Sequence, residues 1–210
     1  MPVKKGDSLD PGATRRRVLK TAAQLFYERG THPVGVNEIA DAAGVSKLSL
    51  YRHFGSKEGL IRAFLQEHSD ATIKGMEEIA AREELAPDER ILALFDGLAT
   101  LFQRRHYRGC ALMNTAAEWR GSDSEAGDLA RVHIERIRGV FLKLCDEAAF
   151  AQPGALADQL VLLIEGAISL RMTRSAEHPA ADARAAAAAL IAAHPRAGRR
   201  RKARTAEPVG

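Results

Sequence analysis

The sequence predicts an all-α protein. Ala, Leu, Arg and Glu dominate its 210 residues, and apolar side chains recur at the three- and four-residue spacing that places them on one face of a helix. No stretch shows the sustained alternation of β-branched and polar residues that is typical of strands. Glycine and proline interrupt the helical pattern repeatedly, and the interruptions divide the chain into nine predicted helices.

The first helices are short and closely spaced. Gly30 ends the first of them, Gly44 separates the second from the third, and Ser46 is placed to cap the third. The predicted spans are 14–29, 36–43 and 47–53, followed by a longer helix that begins near residue 57. Two short helices joined by a tight turn in this way form a helix-turn-helix pattern.

Five further breaks divide the rest of the chain. They lie at Pro87, Gly109, Gly121, Pro153 and Pro179. The predicted helices are 88–106, 110–120, 124–149, 154–175 and 180–194. We therefore expect a flexible arm over 1–13, a helix-turn-helix domain over 14–56, a helical bundle over 57–195 and a disordered basic tail over 196–210.

Composition and charge limit the functions open to this chain. No run approaches 18 consecutive apolar residues, so we expect no transmembrane helix, and two cysteines cannot form a zinc-finger set or a disulfide framework. We expect the protein to function in a reducing cytoplasm. Residues 1–57 hold 10 Lys and Arg against 5 Asp and Glu, residues 58–195 hold 15 against 21, and residues 196–210 hold 6 against 1. Basic ends around an acidic middle indicate contacts with nucleic acid at the ends only.

The third helix has the composition of a DNA-reading helix. It is about the right size for a major groove roughly 12 Å wide, and Leu50 and Phe54 can anchor it inward. Arg52 can form two hydrogen bonds to a guanine edge, whereas Lys47 and Lys57 suit phosphates. Tyr51 either contacts a phosphate or packs. The predicted DNA contacts are Ser46, Lys47, Leu48, Ser49, Tyr51, Arg52, His53 and Lys57.

The segments TAAQLFYERG (21–30) and VNEIADAAGVSKLSLYRHFGSKEGLI (36–61) resemble the DNA-binding domain of TetR-family transcriptional regulators. The resemblance covers residues 14–64 almost continuously, and Leu48 departs from the small residue often found at its position. It implies that the first three helices bind an operator, that the fourth leads to an effector-binding core, and that the last two form a homodimer. It also implies a repressor that a small-molecule effector releases from a palindromic operator.

The effector pocket is predicted between the fourth and eighth helices. The segment RGCALMNTAAEW (108–119) places Cys110, Asn114 and Glu118 on one predicted helical face, where they either orient a ligand, form a structural strut or face solvent. His133 is either a satisfied core residue or a ligand contact, and Trp119 walls a pocket or covers the core. The predicted pocket residues are Phe64, Phe95, Leu98, Phe102, Cys110, Met113, Asn114, Glu118, His133, Ile137 and Phe141.

The last two helices predict a dimer interface. The eighth helix carries an apolar stripe wider than one helix of a small bundle needs, and the ninth is rich in small residues that permit close approach. The alternative is that both helices only complete the core of one subunit. The predicted interface residues are Leu156, Leu160, Leu163, Ile164, Ala167, Ile168 and Leu190.

Other classes of function find little support in the sequence. No oxyanion loop, phosphate-binding glycine loop or HExxH motif is present, so we predict no enzyme, and the seven histidines are scattered, so we assign no metal site and no cofactor. The alternatives are an activator or a ligand-independent regulator of the same fold, or a helical binding protein without operator function. The basic tail either adds nonspecific DNA affinity or serves solubility.

Overall fold

The computed structural model of the chain describes residues 11–119 and 124–197. Within these ranges the chain folds into nine α-helices, which confirms the predicted all-α class. They are α1 (Pro11–Arg29), α2 (Val36–Ala43), α3 (Lys47–Phe54), α4 (Lys57–Ala80), α5 (Pro87–Phe102), α6 (Ala111–Glu118), α7 (Glu125–Glu147), α8 (Pro153–Thr173) and α9 (Pro179–Ala193).

The turn between α2 and α3 is built as the sequence predicts. Gly44 adopts φ 64° and ψ 41°, a left-handed conformation that glycine takes without strain, and its N–H bonds back to the last carbonyls of α2. Ser46 then caps α3, because its hydroxyl accepts a hydrogen bond from the Ser49 N–H at 3.1 Å. Ile39 and Leu50 are fully buried between α1, α2 and α3. This local geometry fixes the two short helices relative to each other.

Two hydrophobic clusters fill the interior. The first, which we call the head cluster, contains the buried residues of α1–α3 and of the first half of α4, such as Phe26 and Phe64. It also takes in Cys110, Leu112 and Ala130, which come from α6 and from the first half of α7. The predicted domain boundary at residue 56 therefore lies inside one continuous core rather than between two separate ones.

The second cluster, which we call the bundle cluster, joins α5, α7, α8 and α9 to the end of α4. Phe95, Phe141 and Leu160 are completely buried at its centre. By length and composition alone α8 could cross a membrane, but Leu160 and its buried neighbours pack into this core, and the core helices of soluble proteins pass the same test.

Two predicted helix ends are wrong by more than two residues. The first helix begins at Pro11 instead of residue 14, so residues 11–13 do not belong to a flexible arm; proline fits the first turn of a helix, where no N–H partner is needed. The fifth helix ends at Phe102 rather than at 106, and turns follow it. The polar run after Phe102 offers no apolar face to continue the helix. Residues 1–10 lie outside the described residues.

The C-terminal end of α9 is held more firmly than predicted. Arg196 pairs with Phe150 in an isolated bridge, stacks on its ring at 3.9 Å and forms an ion pair with Asp88 at 2.9 Å. The Ala197 N–H donates to the Ala149 carbonyl at 2.7 Å. The prediction of disorder from residue 196 onward is therefore wrong for Arg196 and Ala197, and residues 198–210 lie outside the described residues.

Candidate nucleic-acid interface

The outer face of α3 presents a mixed basic and apolar surface. Lys47, Leu48 and Arg52 are exposed, with 70% of the Leu48 side chain open to solvent, whereas Leu50 is fully buried and anchors the helix. Tyr51 is 37% exposed and lies under the Lys47 ammonium, 5.8 Å from its ring centre. A helix anchored on one side and carrying these donors on the other can enter a major groove.

A surface cleft of about 390 Å³ lies beside this face. It is lined by Thr14, Arg17, Gly44, Val45, Ser46, Ser49, Arg52 and His53, so four predicted DNA contacts meet there. The N-terminus of α3 opens into the cleft at Ser46, and the unpaired N–H groups of a helix N-terminus favour an anion. The cleft therefore suits a backbone phosphate.

Sequence reasoning missed the contribution of α1 to this surface. The Arg17 Nε donates to the Ala43 carbonyl at 2.9 Å and so closes the C-terminal end of α2, while the Arg15 guanidinium lies 5.2 Å from the centre of the Phe54 ring. The signal in the sequence is the run of three consecutive arginines at 15–17. Their spacing does not show that Arg15 and Arg17 contact α3 and α2; only the fold brings these residues together.

Lys57 is less available than the sequence predicts. Its Nζ donates to the His32 carbonyl at 3.1 Å, and burial lowers its pKa. Ser56 caps α4 by accepting from the Gly59 N–H at 3.0 Å, so the start of this helix is well defined. The Lys57 ammonium is thus engaged with the loop between α1 and α2, and its predicted phosphate contact would have to coexist with this bond.

The predicted pocket residues do not come together in one site. Phe95, Leu98, Phe102, Ile137 and Phe141 are buried in the bundle cluster, whereas Phe64 and Cys110 are buried in the head cluster. None of the eleven lines the second cleft, of about 130 Å³, which α4, Trp119 and the start of α7 form. The apolar periodicity that suggested a pocket is accounted for by the packing of the two cores.

The predicted polar stripe on α6 is also differently arranged. Cys110 is the N-cap of α6 and is buried, and Met113 is 44% exposed. The Asn114 amide donates to the Arg108 carbonyl at 2.7 Å, and the Glu118 carboxylate binds the loop after α1. Of the alternatives left open by the sequence, the structural strut is the one that the structure supports.

His133 is a core residue held by a polar seam between α4 and α7. It is buried, and its Nδ1 lies 2.9 Å from the Ser69 Oγ, which also accepts a bond from Arg136 at 2.8 Å. Burial, followed by the nearby His68 and Arg136, lowers the pKa of His133 to about 4, so the ring is neutral at physiological pH. This arrangement satisfies one ring nitrogen without any ligand.

A partly buried acidic residue that sequence reasoning missed, Glu165, lies on α8. The Glu165 Oε1 is buried and has no hydrogen-bond partner among the described residues, and burial raises the pKa of its carboxyl group. It lies near Tyr107 and Cys110, and burial, with a smaller contribution from the charge of Glu165, raises the pKa of the Cys110 thiol to about 11. The signal was a single acidic residue within the apolar run VLLIEGAISL (161–170).

Four of the seven predicted dimer residues face the core of their own subunit. Leu156, Leu160, Ile164 and Ala167 are buried in the bundle cluster, whereas Leu163, Ile168 and Leu190 pack against it, are only half-buried and stay predicted interface residues. The stripe is broad because α5, α7 and α9 of the same subunit cover it. The outer face of α8 presents Leu162, which is 71% exposed, together with Ala155, Gly166 and Ser169, and α9 exposes Ala185 and Ala189.

Part of the sequence is similar to known proteins. Residues 18–64 match the family model described as bacterial regulatory proteins, tetR family. The transcriptional activator FasR of Mycolicibacterium smegmatis is 44% identical over 73 residues, which cover 35% of this chain and 33% of FasR. The repressor KstR2 of the same organism is 32% identical over 96 residues, or 46% of either chain. The chain thus matches less than half of the length of these two relatives.

Solved structures match over most of the chain. The TetR-family regulator SCO4454 of Streptomyces coelicolor superposes with a TM-score of 0.78 at 24% identity, over 85% of this chain and 94% of SCO4454, and it shows the fold. Escherichia coli NemR in its reduced form superposes with a TM-score of 0.72 at 26% identity, over 84% of this chain and 96% of NemR. The similarity therefore includes the helices that follow the helix-turn-helix region.

Proposed function

We propose that the chain is a TetR-like regulator, which controls transcription by binding a palindromic DNA operator as a homodimer. The observation that carries the proposal is the basic and apolar outer face of α3 beside a cleft suited to phosphate. The cleft would position the helix on the DNA backbone, and the side chains of α3 would read base edges. A protein with this activity would work together with the DNA in the cytoplasm.

The homodimer is supported by the outer face of α8 and α9. Leu162 projects into solvent on the same helical face as the exposed Ala155, Gly166 and Ser169, with Asp158 one turn before it, and an exposed apolar patch on a soluble protein often marks an interface. Two-fold symmetry would present one α3 helix from each subunit to the DNA. The operator should then be a palindrome with half-sites about one helical turn apart.

The regulator is proposed to be a repressor that a small molecule releases. Among the relatives, KstR2 and NemR carry the name of repressors, and FasR carries that of an activator, so the activator stays the second candidate. The surroundings of Glu165 replace the sequence-predicted pocket as the region for an effector, because a buried carboxylate oxygen without a partner favours a hydrogen-bond donor or a cation. Binding there would shift the population toward a conformer that does not fit the operator.

A thiol-based effector signal is less compatible with this chain. Burial raises the pKa of Cys110 to about 11 and that of Cys145 to about 12, so both remain thiols at neutral pH. The thiolate is the reactive form, and buried thiols of this kind react slowly. We therefore propose a bound small molecule, rather than oxidation of either cysteine, as the signal.

Selection of DNA from a random pool by the purified protein tests the proposal. We expect enrichment of a palindrome, confirmed by a mobility shift at moderate salt, and repression of a reporter carrying that palindrome. Activation of that reporter would identify the protein as an activator instead of a repressor. If no sequence is enriched and only salt-sensitive, sequence-independent binding is seen, the protein is a helical binding protein without operator function.

A further inference from the structure

The end of α6 is bonded to the loop that follows α1, which lies 86 to 88 residues away in the sequence. One carboxylate oxygen of Glu118 accepts three hydrogen bonds, from the Thr31 N–H at 2.8 Å, the Thr31 hydroxyl at 2.7 Å and the His32 N–H at 3.2 Å. Charge-assisted bonds of this kind are roughly twice as strong as bonds between neutral groups. Glu118 therefore satisfies two consecutive backbone donors of the helix-turn-helix region.

Trp119 adds a second layer to this contact. Its Nε1 donates to the Thr31 hydroxyl at 2.9 Å, and its ring stacks on the His32 ring at a centroid distance of 4.9 Å. The His32 Nε2 lies 3.1 Å from the Glu118 carbonyl oxygen. We call Thr31, His32, Glu118 and Trp119 the clasp. Thr31 is almost completely buried within it.

Gly30 shows that the loop and α6 are fitted closely to each other. It has a φ of 88°, and a Cβ atom at this position would lie 2.6 Å from the Glu118 Oε1. Side chains rarely adopt that backbone conformation, and the carboxylate would have to move to admit one. The glycine is thus required twice, by the turn that ends α1 and by the approach of Glu118.

The other end of α6 is tied to the same helix. The Tyr27 hydroxyl donates to the Gly109 carbonyl at 3.1 Å and accepts from the Arg108 N–H at 3.0 Å, and the Arg108 guanidinium donates to the Glu28 carbonyl in the last turn of α1. The segment from Arg108 to Trp119 is consequently attached to the end of α1 at both of its ends. These polar contacts therefore hold α1 to the rest of the molecule, in addition to the continuous helix α4 and the apolar packing of α6 and α7 in the head cluster; we call α1–α3 the head.

The clasp also reaches the surface that faces DNA. His32, which Glu118 holds through its N–H, accepts a hydrogen bond from the Lys57 Nζ through its carbonyl. Lys57 is the first residue of α4, one helix after α3. A movement of the α6 end would therefore move the loop, and with it the start of α4 against which α3 is packed.

We infer that Glu118 is a positioning residue, which holds each DNA-binding head at a fixed orientation to the bundle and so makes the dimer selective for the distance between half-sites. The inference rests on the proposed function, since it requires a two-headed protein on a palindromic operator. Inserting one base pair turns one half-site by about 35° and moves it by about 3.4 Å, which a rigidly held pair of heads cannot follow. When the clasp is lost, α3 stays intact and α1–α3 can tilt relative to the bundle, so the protein can reach the displaced half-site more easily.

The test measures affinity for the selected operator and for versions with one base pair removed from or added to the spacer. We expect wild-type protein to lose roughly tenfold or more at either changed spacing, and Glu118→Ala to lose only about twofold to threefold. Glu118→Gln keeps an acceptor oxygen for Thr31 and should restore most of the spacing selectivity. Glu84→Ala is the matched control, because it removes an exposed carboxylate paired only with Arg82.

Three results would overturn the inference. The first is a Glu118→Ala protein with the spacing profile of the wild type. The second is a loss of affinity by the same factor at every spacing, as a partly unfolded sample would show. The third is a Glu118→Ala protein that behaves like Glu118→Gln. Thermal unfolding of each variant identifies loss of folded protein. Trp119→Phe, which removes the bond to Thr31 and keeps a smaller aromatic ring beside His32, supplies a milder second variant with an intermediate profile. If wild-type protein selects no operator, it is the proposed function that fails, and that result precedes any spacing measurement.

Discussion

Leu48 on α3 and Leu162 on α8 are exposed to nearly the same degree, 70% and 71%, but the surfaces around them differ. Leu48 lies among Lys47 and Arg52, beside a cleft that suits phosphate, whereas Leu162 shares its face with Ala155 and Gly166, and Asp158, one turn before it, is paired with Arg138. Both leucines leave apolar area in water that a partner could cover. The charge and size of the neighbours, rather than the exposure itself, indicate DNA in one case and a second subunit in the other.

The largest effect should come from a charge placed in the α8 surface. Leu162→Glu would bury a carboxylate in the proposed interface at a cost of several kcal/mol, so light scattering should report a monomer, and operator affinity should fall by about a hundredfold or more. Val132→Glu is the control, because Val132 is an exposed apolar residue of α7 outside this face. A Leu162→Glu protein that is still dimeric would show that the interface lies elsewhere. Ile164→Glu would not be informative, because Ile164 is in the core.

Arg52→Ala should have the next largest effect, confined to the α3 surface. Loss of a bidentate contact to guanine costs roughly 1–3 kcal/mol and relaxes preference at one base position of each half-site. Selection from a random pool with the variant measures both changes. The control is Arg131→Ala, an exposed arginine of α7 that pairs with Asp128. Equal losses on operator and random DNA would mean that Arg52 contacts the backbone instead.

Leu48 should read a methyl group. An aliphatic side chain in the major groove discriminates thymine by contact with its 5-methyl group, which is worth about 1 kcal/mol, or roughly fivefold in affinity. Replacing each thymine of the half-site by deoxyuridine removes that methyl group alone. We expect one position to weaken wild-type binding and the same position to have no effect on Leu48→Ala. If no deoxyuridine separates the two proteins, Leu48 does not touch a thymine methyl group.

The smallest effect should separate two lysines that the sequence treats alike. The Lys47 ammonium is exposed above Tyr51, whereas the Lys57 ammonium is bonded to the His32 carbonyl. Lys47→Ala should therefore reduce the slope of log affinity against log salt by about one, and Lys57→Ala by clearly less. Titrations at several salt concentrations give both slopes. A larger change for Lys57→Ala would mean that its ammonium leaves the loop when DNA binds.

The head could be predicted well because its signals are local. Gly44 has a left-handed conformation and Ser46 caps the next helix, so α2 matches its predicted span and α3 is longer by one residue, Phe54. The exposed face of α3 could likewise be read from a short motif, although the arginines of α1 that join it could not. Residues that act within one turn of their own position leave a pattern that a sequence displays.

The rest could not be predicted because it depends on which element covers which face. Apolar spacing shows that one side of α8 is buried, but not whether the same subunit or a second one buries Leu160. The contact of Glu118 with Thr31 joins residues 87 apart, and nothing near either residue announces it. The five predicted pocket residues of the bundle cluster, Phe95 among them, turned out to be mutual packing partners.

The anchoring of Arg196 fixes the place from which the basic tail starts. Arg196 is bound to Asp88 in the first turn of α5, and Arg90 in the same turn donates to the carbonyl of Ala80, the last residue of α4. The 24 residues of α4 separate that point from the head by about 36 Å along the helix axis. The eight residues from Ala197 to Arg204 span at most about 29 Å even when fully extended. The segment is too short for its basic residues up to Arg204 to touch the operator that the same subunit binds. A polyanion that this tail binds would therefore have to approach from the opposite end of the molecule.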